Sequence, residues 1–213
     1  MGDADSDVSS SGRLTLPVQM LLAFIAGAAY PLAFAPFHLW PLTFASAAVL
    51  FWLLSRDEGR MPLIAWVFGL GKYAVGVSWI YVSIHQYGGA SPLLAGIMVA
   101  VFVAFMALFC LPIGWFLGKL EASKQNVSKT VLAMGFVATW VLMEWMLTWF
   151  LTGFPWLFAG HAMLGTPLQG YAPIVGNLGI SLVVLTITVA VMLSVDQAQP
   201  WKMRLAMAGV AVV

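Results

Sequence analysis

The chain has 213 residues, of which 62% are hydrophobic and only 8% are charged, and its mean hydropathy is +0.96. A soluble domain carries roughly 25% charged residues, so this composition excludes an ordinary soluble protein and predicts a polytopic membrane protein. The net charge of +1 and the absence of long basic runs predict no nucleic-acid partner. A single cysteine, Cys110, in an apolar run predicts neither a disulfide framework nor a zinc site.

A polar N-terminus precedes a series of apolar segments. Residues 1–13 contain three aspartates and several serines, which predicts a disordered cytoplasmic segment rather than a secretory signal. Residues 14–213 are predicted to form one all-α transmembrane domain, a polytopic helix bundle with six complete spans plus the start of a seventh. The six predicted spans are 14–30, 42–54, 62–84, 93–118, 131–151 and 172–195.

The seventh apolar segment begins at about residue 205 and has not crossed a bilayer at Val213. Residues 201–213 would supply about 20 Å of helix at about 1.5 Å per residue, against a hydrocarbon core of about 30 Å. We therefore expect a truncated transmembrane domain that belongs to a longer chain.

Basic residues predict the orientation of the bundle. Eight of the nine Lys and Arg lie before the first span or in alternate connections. The intervening connections, residues 31–41, 85–92 and 152–171, contain none. The positive-inside rule therefore places the N-terminus in the cytoplasm and loop 152–171 outside.

Loop 152–171 is the most unusual connection in the chain. It contains no charged side chain, and its prolines and glycines prevent one helix from crossing it. Its aromatic side chains suit a membrane–water boundary. We predict that Gly153, Phe154 and Trp156 line a vestibule here. Trp79 and Tyr81, at the outer end of the third span, are further candidates, although an aromatic belt at the membrane surface would also explain them.

Two ionisable residues, Lys72 and Glu144, lie inside predicted spans. Charges at this depth normally face a bundle interior or a wet cavity. Glu144 is a candidate for receiving a lipid head group or positioning the loop, and a structural ion pair or a hydrogen bond within the bundle is the alternative. Cys110 has no local base to activate it, and the three histidines are predicted to be surface residues that bind no metal.

Four short motifs resemble those of bacterial apolipoprotein N-acyltransferases. They are Leu-Ala-Phe-Ala-Pro at 32–36, Ser-Trp-Ile-Tyr-Val-Ser-Ile at 78–84, Leu-Thr-Gly-Phe-Pro-Trp at 151–156 and Ala-Pro-Ile-Val-Gly at 172–176. The resemblance covers most of residues 24–195, in the family's order. Two departures are Leu147, where some members have Arg, and Lys72, where members have an apolar residue. These departures suggest the hypothesis that Lys72 replaces the lost Arg as the partner of Glu144.

This resemblance implies a multi-pass enzyme of the bacterial inner membrane with loop 152–171 in the periplasm. Such enzymes transfer a fatty acyl chain from a phospholipid, through a cysteine thioester, to the α-amine of a diacylglyceryl-lipoprotein, without a metal or cofactor. The family's catalytic Glu-Lys-Cys triad lies in a nitrilase-like domain that this sequence does not contain. No catalytic residue is therefore predicted here, and the fragment alone is expected to be inactive.

A second interpretation stays open at the level of sequence. The chain could be a small transporter or membrane scaffold whose pocket is formed around Lys72 and Glu144. Transporters often show internal repeats, and no repeat is evident between the first three and last three predicted spans.

Overall fold

The computed structural model describes residues 14–56, 59–123, 127–196 and 202. In these ranges the chain is helical and contains no β-strand. The prediction for residues 1–13 and that of a seventh span lie outside the described residues. The eight α-helices are α1 (Leu16–Ala29), α2 (Pro41–Leu54), α3 (Met61–Gly76), α4 (Trp79–Val82), α5 (Pro92–Ala107), α6 (Leu111–Ser123), α7 (Lys129–Met146) and α8 (Ala172–Val195).

Within the described ranges, three helical segments are long and apolar enough to cross a membrane: Leu16–Ala33, Pro92–Ser123 and Pro167–Val195. A fourth is possible if Met61–Gly76 and Trp79–Tyr87, which are bent by 49°, count as one span. These segments support a helical membrane protein, but the predicted number of six complete spans is not confirmed. The predicted second span corresponds to α2, which has only 14 residues.

Helix α3 lies at the centre of the bundle and packs against α1, α2, α5 and α6. Its contact with α1 depends on two glycines. A Cβ atom added to Gly27 would lie 2.0 Å from the Phe68 carbonyl oxygen, and one added to Gly71 would lie 2.2 Å from the Phe24 carbonyl oxygen. Because no side chain fits at either position, the two backbones approach directly, as small residues permit between membrane helices.

An aromatic cluster forms the core beside this crossing. Tyr30, Phe68, Phe136 and Trp140 are all at most 1% exposed. The Trp140 ring centroid lies 5.9 Å from that of Tyr30, 5.7 Å from Phe68 and 5.5 Å from Phe136. Such tilted and edge-on contacts are the favoured geometries of aromatic pairs. The cluster joins α7 to the α1–α3 pair.

Candidate functional site

Loop 152–171 follows α7 and folds into short turns, which confirms that no single helix crosses it. Three 3-10 segments, Phe150–Thr152, Ala159–Met163 and Pro167–Tyr171, are separated by irregular backbone and a turn. Gly153 has a φ of 83°, and a Cβ at this position would lie 2.5 Å from the Thr148 carbonyl oxygen. The tight return of the chain after α7 therefore requires glycine here.

The loop closes one side of a largely apolar cavity of about 400 Å³. Three segments that are far apart in the sequence line this cavity: residues 31–38 after α1, residues 75–79 at the C-terminal end of α3, and residues 155–164 of the loop. Its size and apolar lining are typical of ligand pockets. We call it the motif pocket, because the motifs at 32–36, 78–84 and 151–156 each contribute residues to it.

Two of the predicted site residues meet at the rim of the motif pocket. The ring centroids of Trp79 and Trp156 are 5.7 Å apart, and each side chain is nearly half exposed. Both tryptophans line the cavity. The pairing brings together the third-span motif and the loop motif, which are 77 positions apart.

The other candidates lie near the pocket but do not line it. The Phe154 ring packs against Trp156 at 6.0 Å and against Phe102 at 5.3 Å, so it supports the rim from the side of α5. Gly153 shapes the preceding turn. Tyr81 packs instead against His85, with ring centroids 5.6 Å apart.

Glu144 lies beneath the loop and is fully buried. Its Oε1 atom accepts a hydrogen bond of 3.0 Å from Trp140 Nε1 and one of 2.8 Å from the backbone N–H of Ala159. Ala159 begins the 3-10 turn Ala159–Met163, whose first N–H groups have no partner within the turn. The carboxylate therefore anchors the loop to α7 from below.

Lys72 is also fully buried, and its ammonium group lies among aromatic rings. The Nζ atom is 4.7 Å from the ring centroid of Tyr30, 5.4 Å from that of Trp140 and 5.5 Å from that of Tyr73. It makes no hydrogen bond. A direct ion pair between Lys72 and Glu144, as hypothesised from the sequence, is not present among the described residues. The two side chains instead contact opposite parts of the same residue, Trp140.

Sequence reasoning missed the contribution of two histidines. His38 and His161 both line the motif pocket. His38 is exposed, as predicted, but His161 is half-buried and its ring stacks on Phe158 at 5.5 Å with an interplanar angle of 8°. Burial lowers the pKa of His161, which favours its neutral form at pH 7. The available signal was that each histidine follows a motif within a few residues.

The part of the chain that the structure describes has no group of three or more His, Cys, Asp or Glu arranged to bind a metal ion. Cys110 is 1% exposed, and its Sγ atom lies 4.0 Å from Met143 Sδ. A thiol buried this deeply is poorly placed to react with a substrate.

Comparison with known proteins identifies the class to which this fold belongs. The family described as "Apolipoprotein N-acyltransferase N-terminal domain" matches residues 26–190. The chain belongs to this family, which confirms the resemblance found in its motifs.

Individual relatives carry the same name. An apolipoprotein N-acyltransferase of Pseudomonas syringae pv. tomato is 40% identical over 188 residues, which cover 88% of this chain and 37% of the relative. That of Coxiella burnetii is 44% identical over 79% of this chain and 34% of its own length. That of Azotobacter vinelandii is 46% identical over 73% of this chain and 30% of its own length. The chain thus spans about a third of the relatives it matches.

Proposed function

We propose that this chain is the membrane domain of an enzyme that transfers a fatty acyl chain from a phospholipid to the α-amine of a lipoprotein's N-terminal diacylglyceryl-cysteine. The observation that carries the proposal is the motif pocket, where three family motifs converge behind a pair of half-exposed tryptophans. An apolar cavity with a tryptophan rim suits a phospholipid acyl donor that enters from the bilayer.

In the complete reaction the acyl carbonyl would leave its phospholipid ester oxygen for a cysteine sulfur and then pass to the lipoprotein amine. Cys110 does not suit this role because it is buried and lacks a base. We assign to this domain the binding and orientation of the two lipid substrates, and to residues outside this chain the covalent chemistry.

We further propose that the domain lies in the bacterial inner membrane with the motif pocket on the periplasmic side. The distribution of Lys and Arg supports this orientation. The transporter or scaffold alternative gains no support from the structure, because Lys72 and Glu144 are fully buried and packed against aromatic rings and backbone.

The proposal is tested by replacing Trp156 with alanine in the full-length gene product. Loss of an aromatic stacking surface at the rim should raise the KM for the phospholipid donor about tenfold while leaving the folded protein intact. Trp115→Ala is the matched control, because Trp115 is 57% exposed and does not line the pocket. Equal KM values for the wild type and both variants would contradict the proposed function.

A further inference from the structure

Lys72 and Glu144 are the only charged residues that are fully buried in the described part of the chain. Removing an ammonium or a carboxylate from water is strongly unfavourable unless each finds compensation. The faces of three aromatic rings supply part of this compensation to Lys72, since a desolvated cation over a ring is attracted by its quadrupole. They do not neutralise its charge.

Trp140 connects the two buried charges. Its ring contacts the Lys72 ammonium group at 5.4 Å, and its indole N–H donates to Glu144 Oε1. One aromatic side chain therefore contacts both ionisable groups inside the core. Attraction between opposite charges is much stronger here than in water because the surroundings are weakly polarisable. The rings of Tyr30 and Tyr73 also surround Lys72, and the hydroxyl groups of these two tyrosines have no hydrogen-bond partner.

The carboxylate in turn determines where the loop begins its turn. Glu144 Oε1 accepts the Ala159 N–H at 2.8 Å, and the turn that starts there carries His161 and Ala162 to the wall of the motif pocket. A hydrogen bond to an ionised acceptor is roughly twice as strong as one to a neutral acceptor. The bond to the pocket wall therefore depends on the charge of Glu144 being balanced inside the core, and removing either buried charge alone would leave the other uncompensated.

We propose that Lys72 is a positioning residue for the motif pocket: it supplies the counter-charge that lets Glu144, through Trp140 and Ala159, hold the pocket wall in place. The identity of the ligand in the pocket rests on the proposed function. The coupling of Lys72 to the loop through Glu144 does not. Lys72 does not line the pocket, so its effect on the pocket wall passes through Glu144.

A double-mutant cycle tests this coupling in the full-length gene product reconstituted in lipid nanodiscs. The variants are Lys72→Met, Glu144→Gln and the two combined, since methionine keeps the length of lysine and glutamine keeps an acceptor oxygen. Hydrogen–deuterium exchange of peptides covering residues 157–163 is the readout, with peptides of α5 as the internal reference. Lys119→Met is the matched control, because Lys119 is exposed and its ammonium also lies over a tryptophan ring, that of Trp115.

We expect each single variant to raise exchange in residues 157–163 about tenfold, and the combined variant to return it to within about threefold of the wild type. Lys119→Met should have no effect on this segment. If Lys72→Met does not accumulate, recovery of folded protein in the combined variant is the expected result. Additive effects in the combined variant, or equal increases in the loop and in α5, would overturn the inference.

Binding of a fluorescent phosphatidylethanolamine, measured on the same samples and on Trp156→Ala, separates this inference from the proposed function. Loop exchange that follows the expected cycle, with phospholipid affinity unchanged in Trp156→Ala, would support the positioning role and contradict a lipid pocket. Weaker phospholipid binding in Trp156→Ala, with loop exchange unchanged in Lys72→Met, would support the pocket and overturn the role of Lys72.

Discussion

Single residues hold loop 152–171 in a conformation that few sequences adopt. Leu151, Thr152 and Leu157 have φ values of 48°, 76° and 59°, although none of them is glycine. Residues in this left-handed region cost about 1–3 kcal/mol each and persist only where the surrounding structure determines them. Contacts with the rest of the protein hold the loop in this conformation, and the most important is the hydrogen bond from the Ala159 N–H to Glu144.

Gly153→Ala should destabilise the loop more than Gly165→Ala. Both glycines have a φ of 83°, so an alanine would be strained at either position. Only at Gly153 would the new methyl group also lie 2.5 Å from a backbone oxygen, whereas nothing lies within 4 Å of it at Gly165. Thermal unfolding in detergent and the phospholipid KM provide the measurements. Indistinguishable variants would show that the turn at Gly153 is not packed as described.

At this scale the sequence singled out two unusual residues but not their contacts. Lys72 and Glu144 stood out because charge is rare in apolar segments, yet their relation through Trp140 was not predictable. It depends on how α1, α3 and α7 rotate about their axes, which no local pattern specifies. The sequence predicts a surface position for His161, whose half-buried position depends on the path of the loop.

Among the helices, the crossing of α1 and α3 fixes the frame of the site. It places Tyr30, in the 3-10 segment Tyr30–Ala33 that continues α1, beside Lys72 of α3. It also brings residues 31–38 next to the C-terminal end of α3. Gly27 and Gly71 are spaced along their helices so that each meets the backbone of the other helix. Substitutions there would separate two of the three segments that line the motif pocket.

Gly71→Ala should destabilise the protein, whereas Gly96→Ala should not. Alanine favours a helix interior over glycine by about 0.5–1 kcal/mol, and nothing lies within 4 Å of a methyl group at position 96 on α5. At position 71 the methyl group would overlap the Phe24 carbonyl, and such overpacking typically costs about 1–3 kcal/mol. Denaturant unfolding in detergent measures the difference. A Gly71→Ala protein as stable as Gly96→Ala would contradict direct backbone contact between α1 and α3.

The existence of the helices could be predicted from apolar runs, but their continuity could not. The predicted span 62–84 is interrupted after Gly76, where α3 ends and the chain bends by 49° into the segment that carries Trp79. Hydropathy does not register this break, because the residues on both sides are apolar. The same break turns Trp79 toward Trp156, so the feature that disrupts the span also helps to build the site.

For the whole molecule, the order of the motifs was sufficient to predict the family, which the comparisons confirm over residues 26–190. It was not sufficient to predict that segments around residues 34, 79 and 156 would share one cavity. That convergence arises from the fold of the complete bundle.

The central claim is that the motif pocket receives a phospholipid, and photo-crosslinking tests it most directly. A photoreactive phenylalanine derivative placed at Trp156 of the full-length gene product should crosslink to phospholipid, and an added short-chain phosphatidylethanolamine should reduce the yield at least fivefold. The same derivative at Trp115 should crosslink to bulk lipid without such competition. Equal yields and equal insensitivity to the competitor at both positions would contradict the account.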